Sequence, residues 1–117
     1  MTLVVYGIRN CDTMKRARAW LQSRGIAHDF HDYKVAGIDA ATLHRWVDEA
    51  GWERLVNRSG TTFRKLPEAQ RADLDEARAL QLMQAQPSLI RRPVLEGAGA
   101  LLIGFDEASW AARFARR

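Results

Sequence analysis

Cysteine is almost absent from this chain of 117 residues, which holds a single thiol, Cys11. One cysteine cannot close an internal disulfide, and it cannot build a multi-thiolate metal site. The three histidines do not make up for this, since they lack a ligand spacing. His28 and His31 flank a predicted strand, where alternation puts them on opposite faces, and both read as solvated residues. No metal is therefore expected. Long hydrophobic runs are missing too: nothing approaches the roughly 20 apolar residues of a membrane span. No basic segment precedes an apolar signal core near Met1. A cytoplasmic protein whose thiol stays reduced is the expectation. Also missing are blocks of basic residues. The excess of 18 Lys+Arg over 14 Asp+Glu, a formal +4, suits an anionic partner or simply solubility. Its cations are scattered, with no aromatic-interleaved sheet motif and no zinc-finger spacing, which weighs against nucleic acid. Arg113, Arg116 and Arg117 stand where they complement the dipole of a closing helix.

Apolar residues, at 47%, suffice for a core without staples, so one domain over residues 1–117 is expected. The chain opens with Leu3-Val4-Val5-Tyr6, a strand-type run. Met14, Ala17 and Leu21 then recur at helical spacing, with Trp20 beside them, in a basic amphipathic segment from Thr13 to Arg24 that Gly25 stops. Ala27 to Tyr33 alternates weakly as a second strand, Phe30 facing one way and Asp29 and His31 the other. A β-α-β unit of this length implies parallel strands. From about 38 to 88 the pattern is helical. Asp39 is placed to cap a helix carrying Leu43, Trp46, Val47 and Ala50, which Gly51 ends. Residues Leu55 to Thr62 read as a polar loop, and Pro67 as an early helix position. Asp73 or Asp75 caps a helix with Ala77, Leu80, Leu82 and Met83 on its apolar side, before Pro87. No Gly/Ser/Pro linker sets this stretch apart. Pro93 to Glu96, Gly97-Ala98-Gly99 and Ala100 to Gly104 form strand, turn and strand, and Asp106 caps a last helix burying Trp110, Ala111 and Phe114. The order is that of a thioredoxin-like α/β fold: a mixed four-stranded sheet with flanking helices, and a helical insertion between the second and third strands. Reactive groups in such sheets lie beyond the carboxyl ends of parallel strands, where Cys11 falls.

Cys11 stands at the mouth of the first helix, after the turn Gly7-Ile8-Arg9-Asn10. Unpartnered N–H groups and the helix dipole there stabilise a thiolate, and Lys15, Arg16 and Arg18 lie within about two turns. The alternative is an inert residue packed between strand and helix. A second feature is Ile90-Arg91-Arg92-Pro93. Proline at a strand start costs no ladder bond, so it can be an edge marker. A cis Arg92-Pro93 peptide beside the thiol, holding one arginine toward sulfur, is the other reading. Arginine suits this because it binds oxyanions through two parallel hydrogen bonds. Arg58, Arg64 and Lys65 form a further basic group.

Three stretches carry a family resemblance: Tyr6-Gly7-Ile8-Arg9-Asn10-Cys11-Asp12-Thr13-Met14-Lys15; Asn57-Arg58-Ser59-Gly60-Thr61-Thr62-Phe63-Arg64-Lys65-Leu66; and Ile90-Arg91-Arg92-Pro93 with Gly104-Phe105. In this order and spacing the chain resembles, over essentially its whole length, the arsenate reductase (ArsC)/Spx family and its YffB-like branch. The resemblance implies a thioredoxin-like fold with a helical insertion, a Cys11 nucleophile, and oxyanion-binding arginines at Arg64 and Arg92. In arsenate reductase members the cysteine attacks arsenate, and glutathione with glutaredoxin completes the cycle. The family's histidine four residues before the nucleophile is Gly7 here, and the serine three residues after it is Met14. A third arginine is missing, since Gly99-Ala100-Leu101-Leu102-Ile103 offers no cation. A dianion loses charge-assisted contacts by these changes. The Spx members are regulators that bind RNA polymerase and sense oxidation through Cys-x-x-Cys, whose second cysteine is again Met14.

These residues and the resemblance together imply a glutathione-dependent thiol-disulfide oxidoreductase with one nucleophilic cysteine. Arsenate reduction and an Spx-like polymerase-binding regulator are the alternatives. Cys11 would attack a disulfide, and a glutathione thiol would resolve the mixed disulfide. Arg64 and Arg92 would take the glutathione carboxylates, Thr13 would donate a hydroxyl or backbone N–H to sulfur, Asn10 would orient the loop, and Pro93 would shape the site. No bound cofactor is expected, and glutathione enters as co-substrate. Glutaredoxin or a protein disulfide is a further partner, and nothing demands more than a monomer.

Overall fold

Alternation along Val4-Val5-Tyr6 sends Val5 to one side of a sheet and its neighbours to the other, and the computed structural model, which describes residues 3–115, is organised around that choice. Strand β1 (Val4–Gly7) leads into helix α1 (Asp12–Ser23), and β2 (Asp29–Asp32) returns parallel to β1. Later in the chain β3 (Val94–Glu96) pairs antiparallel with β1, and β4 (Leu102–Ile103) antiparallel with β3. The sheet order is β2-β1-β3-β4. Register sets Val5 opposite both Phe30 and Leu95, and Leu95 opposite Leu102, so one apolar row crosses all four strands. Met14, Ala17, Trp20 and Leu21 of α1 join that row's cluster, as do Trp110 and Phe114 of the last helix, α8 (Glu107–Phe114). Trp110 donates from Nε1 to the Gly104 carbonyl at 3.1 Å, so its buried ring keeps a polar partner.

On the other face Tyr6 lies against His31, ring centroids 4.8 Å apart, and donates its hydroxyl to Glu96 Oε1 at 3.2 Å. His28 pairs through Nδ1 with the Ile26 carbonyl at 3.1 Å. Both histidines are half-buried rather than solvated, because short strands leave their ends under neighbouring rings and loops.

Between β2 and β3 the chain is helical, and Tyr33–Arg91 forms a second compact unit, distinct from that of residues 3–32 and 92–115. Its elements are α2 (Tyr33–Ala36), α3 (Ala40–Ala50), α4 (Trp52–Leu55), α5 (Thr61–Arg64), α6 (Glu68–Arg71), α7 (Glu76–Ala85) and a 3₁₀ turn (Pro87–Leu89). Asp39 caps α3 by accepting from Thr42 N, and α3 closes at Gly51, whose φ of 88° suits glycine. Val56 bridges Ile90, while Asn57 N donates to Leu89 O at 2.8 Å and Arg91 N to Leu55 O at 2.7 Å. These bonds tie the unit's end back onto its middle.

Several sequence expectations need correction. The stretch from Leu55 to Thr62 is not all loop, since α4 ends in it and α5 begins in it; single turns carry too few periodic residues to stand out. Tyr33 opens α2 instead of closing β2. Pro67 caps α6 from just outside. On the expected apolar side of α7 Met83 is buried and Leu80 and Leu82 are half-buried, whereas Ala77 is exposed and Ala79 is buried in its stead. Arg113 turns back and donates to the Ala98 and Ala100 carbonyls, the first at 2.7 Å, so it holds the β3-β4 turn. Arg116 and Arg117 lie outside the described residues. No described helix is long and apolar enough to cross a membrane.

Two of the aspartates placed at helix starts differ in a testable way. Asp75 accepts from Arg78 N at 2.9 Å, whereas Asp106 closes no bond to its helix backbone and instead accepts from Ser109 Oγ at 2.6 Å. Asp75→Ala is expected to cost about 1 kcal/mol in urea unfolding, a full cap, and Asp106→Ala clearly less. Equal losses would contradict this account.

Candidate active site

The thiol owes its position to two packing decisions made nearby. Strand β1 ends at Gly7, which is buried, and the chain crosses Ile8, Arg9 and Asn10 before α1 begins; Arg9 and Asn10 are exposed. Cys11 is the N-cap residue of α1, with extended backbone angles of −113° and 129°, and its carbonyl accepts the Lys15 N–H at 2.9 Å. Its side chain is half-buried against the sheet cluster. Opposite it, the cis Arg92-Pro93 peptide starts β3, and Gly104 N donates to the Pro93 carbonyl at 2.7 Å. Arg92 is half-buried and Pro93 buried.

Partial burial is the largest single influence on Cys11 and pushes its thiol up, because a half-buried anion has lost water. It is outweighed. The backbone N–H of Met14, a hydrogen bond from the Arg92 side chain, the backbone N–H of Thr13 and the positive charge of Arg92 together bring Cys11 below the ordinary thiol value. Sγ closes no tight capping bond, so the N–H groups act by facing the sulfur across the open end of α1. A thiol held this way is more often ionised at a given pH than a free cysteine.

Sequence reasoning placed Cys11, Thr13, Arg92 and Pro93 in one neighbourhood, and this unit brings them together. Thr13 reaches the sulfur by its backbone rather than its hydroxyl. Asn10 is exposed in the turn just before Cys11. Arg64 is an exposed residue of α5, in the other compact unit. The cation that acts on the thiol is Arg92, and of the α1 cations Arg18 lies 4.5 Å over the Phe30 ring. Missed entirely was Met14. It looked like plain core, and it is 1% exposed, yet its N–H is the strongest of the influences that favour the thiolate. Its signal was its place, three residues after a cysteine that opens a helix.

A thioredoxin-like sheet with a lone thiol at the N-terminus of its first helix and an arginine just ahead of β3 defines a class of thiol-bearing domain. The chain belongs to the ArsC family, whose profile matches residues 6–113. A relative from Haemophilus influenzae, described as an uncharacterized protein, is 43% identical over 113 residues, covering 97% of this chain and 99% of its own. The global transcriptional regulator Spx of Enterococcus faecalis is 30% identical over 110 residues, covering 90% of this chain and 80% of its own. Among solved structures the YffB protein superposes with a TM-score of 0.92 at 60% identity, covering 96% of this chain and 98% of that one. An arsenate reductase (ArsC) related protein from Brucella melitensis gives 0.78 at 53%, covering 100% and 97%.

A lowered thiol favours the folded state only once it has lost its proton. Below the folded value both states are protonated and Cys11 adds nothing. Stability grows as pH rises from the folded to the unfolded value and is fully present above the latter. Arg92→Ala is expected to raise the alkylation midpoint of Cys11 and to slow iodoacetamide modification several-fold at neutral pH. Arg91→Ala, changing an exposed side chain, should leave both as they were. A midpoint indifferent to Arg92 would refute the assigned pairing.

Proposed function

We propose that this chain is a glutathione-dependent thiol-disulfide oxidoreductase working through a single nucleophilic cysteine. The observation that carries the reading is the pairing of Cys11 with Arg92 at an open helix N-terminus, in a sequence with no second thiol. Cys11 thiolate attacks one sulfur of a disulfide, forms a new S–S bond, and expels the other sulfur as a thiolate that takes a proton from solvent. With no neighbouring cysteine to resolve it, the mixed disulfide is attacked at the Cys11 sulfur by a glutathione thiolate, which forms Cys11–S–SG and expels the substrate's second sulfur as a thiolate that takes a proton from solvent. A second glutathione thiolate attacks the glutathione sulfur of that adduct, forming oxidised glutathione and releasing the Cys11 thiolate. Two electrons pass from two glutathione thiols to the substrate disulfide.

Arg92 has a double use in this scheme, holding the thiolate and then meeting a glutathione carboxylate. Arg64 keeps its assignment as a second carboxylate-binding residue, Thr13 supplies an N–H to the sulfur, Asn10 shapes the turn, and Pro93 fixes the backbone before β3. Glutaredoxin or a protein disulfide is the expected macromolecular partner. Arsenate reduction is the weaker reading, because Gly7 and Met14 remove the imidazole and the hydroxyl that the reductase pattern carries. An Spx-like sensor is weaker still as an internal switch, since Met14 occupies the place of the second cysteine.

Oxidised glutathione mixed with the reduced chain is expected to add one glutathionyl group to Cys11, read by intact mass, and reduced glutathione should remove it. Cys11→Ser should block the adduct, and Arg64→Ala and Arg92→Ala should each slow it. Absence of any adduct with the wild-type chain would sink the proposal, and arsenate-dependent oxidation of glutathione in the same assay would replace it.

A further inference from the structure

Gly7 and Met14 are seven residues apart in sequence and in contact in space. A Cβ built on Gly7 would overlap the Met14 Sδ and stand 2.7 Å from its Cε and 3.0 Å from its Cγ. The backbone at Gly7 lies outside the left-handed region, so its conformation admits any residue and only the space forbids one. Moving Met14 aside means repacking its neighbours. It is 1% exposed and belongs to the same cluster as Val5, Ala17, Leu21, Leu95 and Trp110, so core surrounds its other sides. The last residue of β1 and the first turn of α1 are thereby interlocked at the point where the chain carries Cys11.

We propose that Met14 is a positioning residue for Cys11: its side chain, seated over Gly7, fixes the first turn of α1 so that the Met14 and Thr13 N–H groups face the sulfur. The proposal deepens the reading of Cys11 as a nucleophile and rests on it. A thioether suits the task because an unbranched chain fills an irregular gap between a flat glycine and a helix. Loosening the seat costs orientation at the thiolate even where the fold survives. An N–H group that points a little aside leaves the half-buried anion short of the solvation it has lost.

The test uses the full chain and four proteins: wild type, Met14→Ala, Met14→Leu and Gly7→Ala. Each is checked for folding by circular dichroism and thermal unfolding, then alkylated with iodoacetamide across pH. Met14→Ala empties the seat and Gly7→Ala pushes Met14 off it, so both should move the alkylation midpoint upward. A higher midpoint lowers the thiolate fraction, but intrinsic nucleophilicity rises with it and returns part of the rate, so neutral-pH alkylation should slow by roughly three- to tenfold. Met14→Leu refills the volume and should recover most of the profile. A merely structural Met14 predicts a lower Tm with an unmoved midpoint, and that result in Met14→Ala would overturn the proposal. Should Met14→Ala fail to fold, an unmoved midpoint in Gly7→Ala overturns it equally. The glutathionyl adduct of the wild type is measured alongside, so the oxidoreductase reading and the interlock can fail separately.

Discussion

A half-buried thiolate persists only where fixed dipoles and charges return the hydration it has given up. In this domain those groups come from two pieces of backbone brought together by the sheet: the first turn of α1, which offers N–H groups, and the start of β3, which offers Arg92. Both are set by β1. Its Gly7 end lies against Met14, and its pairing with β3 puts Val94 opposite Tyr6, so the strand that precedes the thiol also places the arginine. The apolar row through Val5, Phe30, Leu95 and Leu102 is therefore part of the chemistry. A slip of one residue in the β1–β3 pairing would turn Leu95 off that row and carry Arg92 away with it.

Much of this was legible in the residues because the signals are local. Val5 and Phe30 alternate, Met14, Ala17 and Leu21 recur at helical spacing, Gly25 and Gly51 stop helices, and Asp39 and Asp75 cap them. Cys11 could be placed at a helix mouth for the same reason. What stayed hidden depends on contact between distant segments. The phase of α7, with Ala79 inward and Ala77 outward, is decided by what it packs on and not by its own pattern. Helices α4, α5 and α6 are single turns, held by tertiary bonds such as Arg91 N to Leu55 O at 2.7 Å. The choice of Arg92 over Lys15, Arg16 and Arg18 was equally out of reach of spacing along α1. Proximity in sequence put three cations near the thiol, but Lys15 and Arg16 are exposed and Arg18 lies over the Phe30 ring.

The departures from the reductase pattern look like three separate losses in the sequence, at positions 7 and 14 and at the missing third arginine. Two of them are a single packing event. A side chain of any size at position 7 would compete with Met14 for one volume, so the methionine at 14 depends on glycine at 7. The exchange leaves the thiolate with two backbone N–H groups and one guanidinium as its stabilising neighbours. Backbone donors cannot be titrated and do not rotate, whereas a hydroxyl can turn and an imidazole can change charge. The site thus relies on fixed dipoles, which favour an anionic sulfur across a broad pH range but offer no proton to a leaving group.

That last property bears on which electrophile the thiol can use. Displacing an oxygen leaving group from an oxyanion calls for protonation or several cations, since an oxide is a poor leaving group. Displacing a thiolate from a disulfide needs no general acid, because the departing sulfur carries its charge into solvent. A nucleophile surrounded by N–H groups, one arginine and a buried thioether is matched to the second kind of reaction. In the proposed reaction the mixed disulfide has no internal route to resolution, since the chain holds no other cysteine, so turnover by that route requires a thiol from outside.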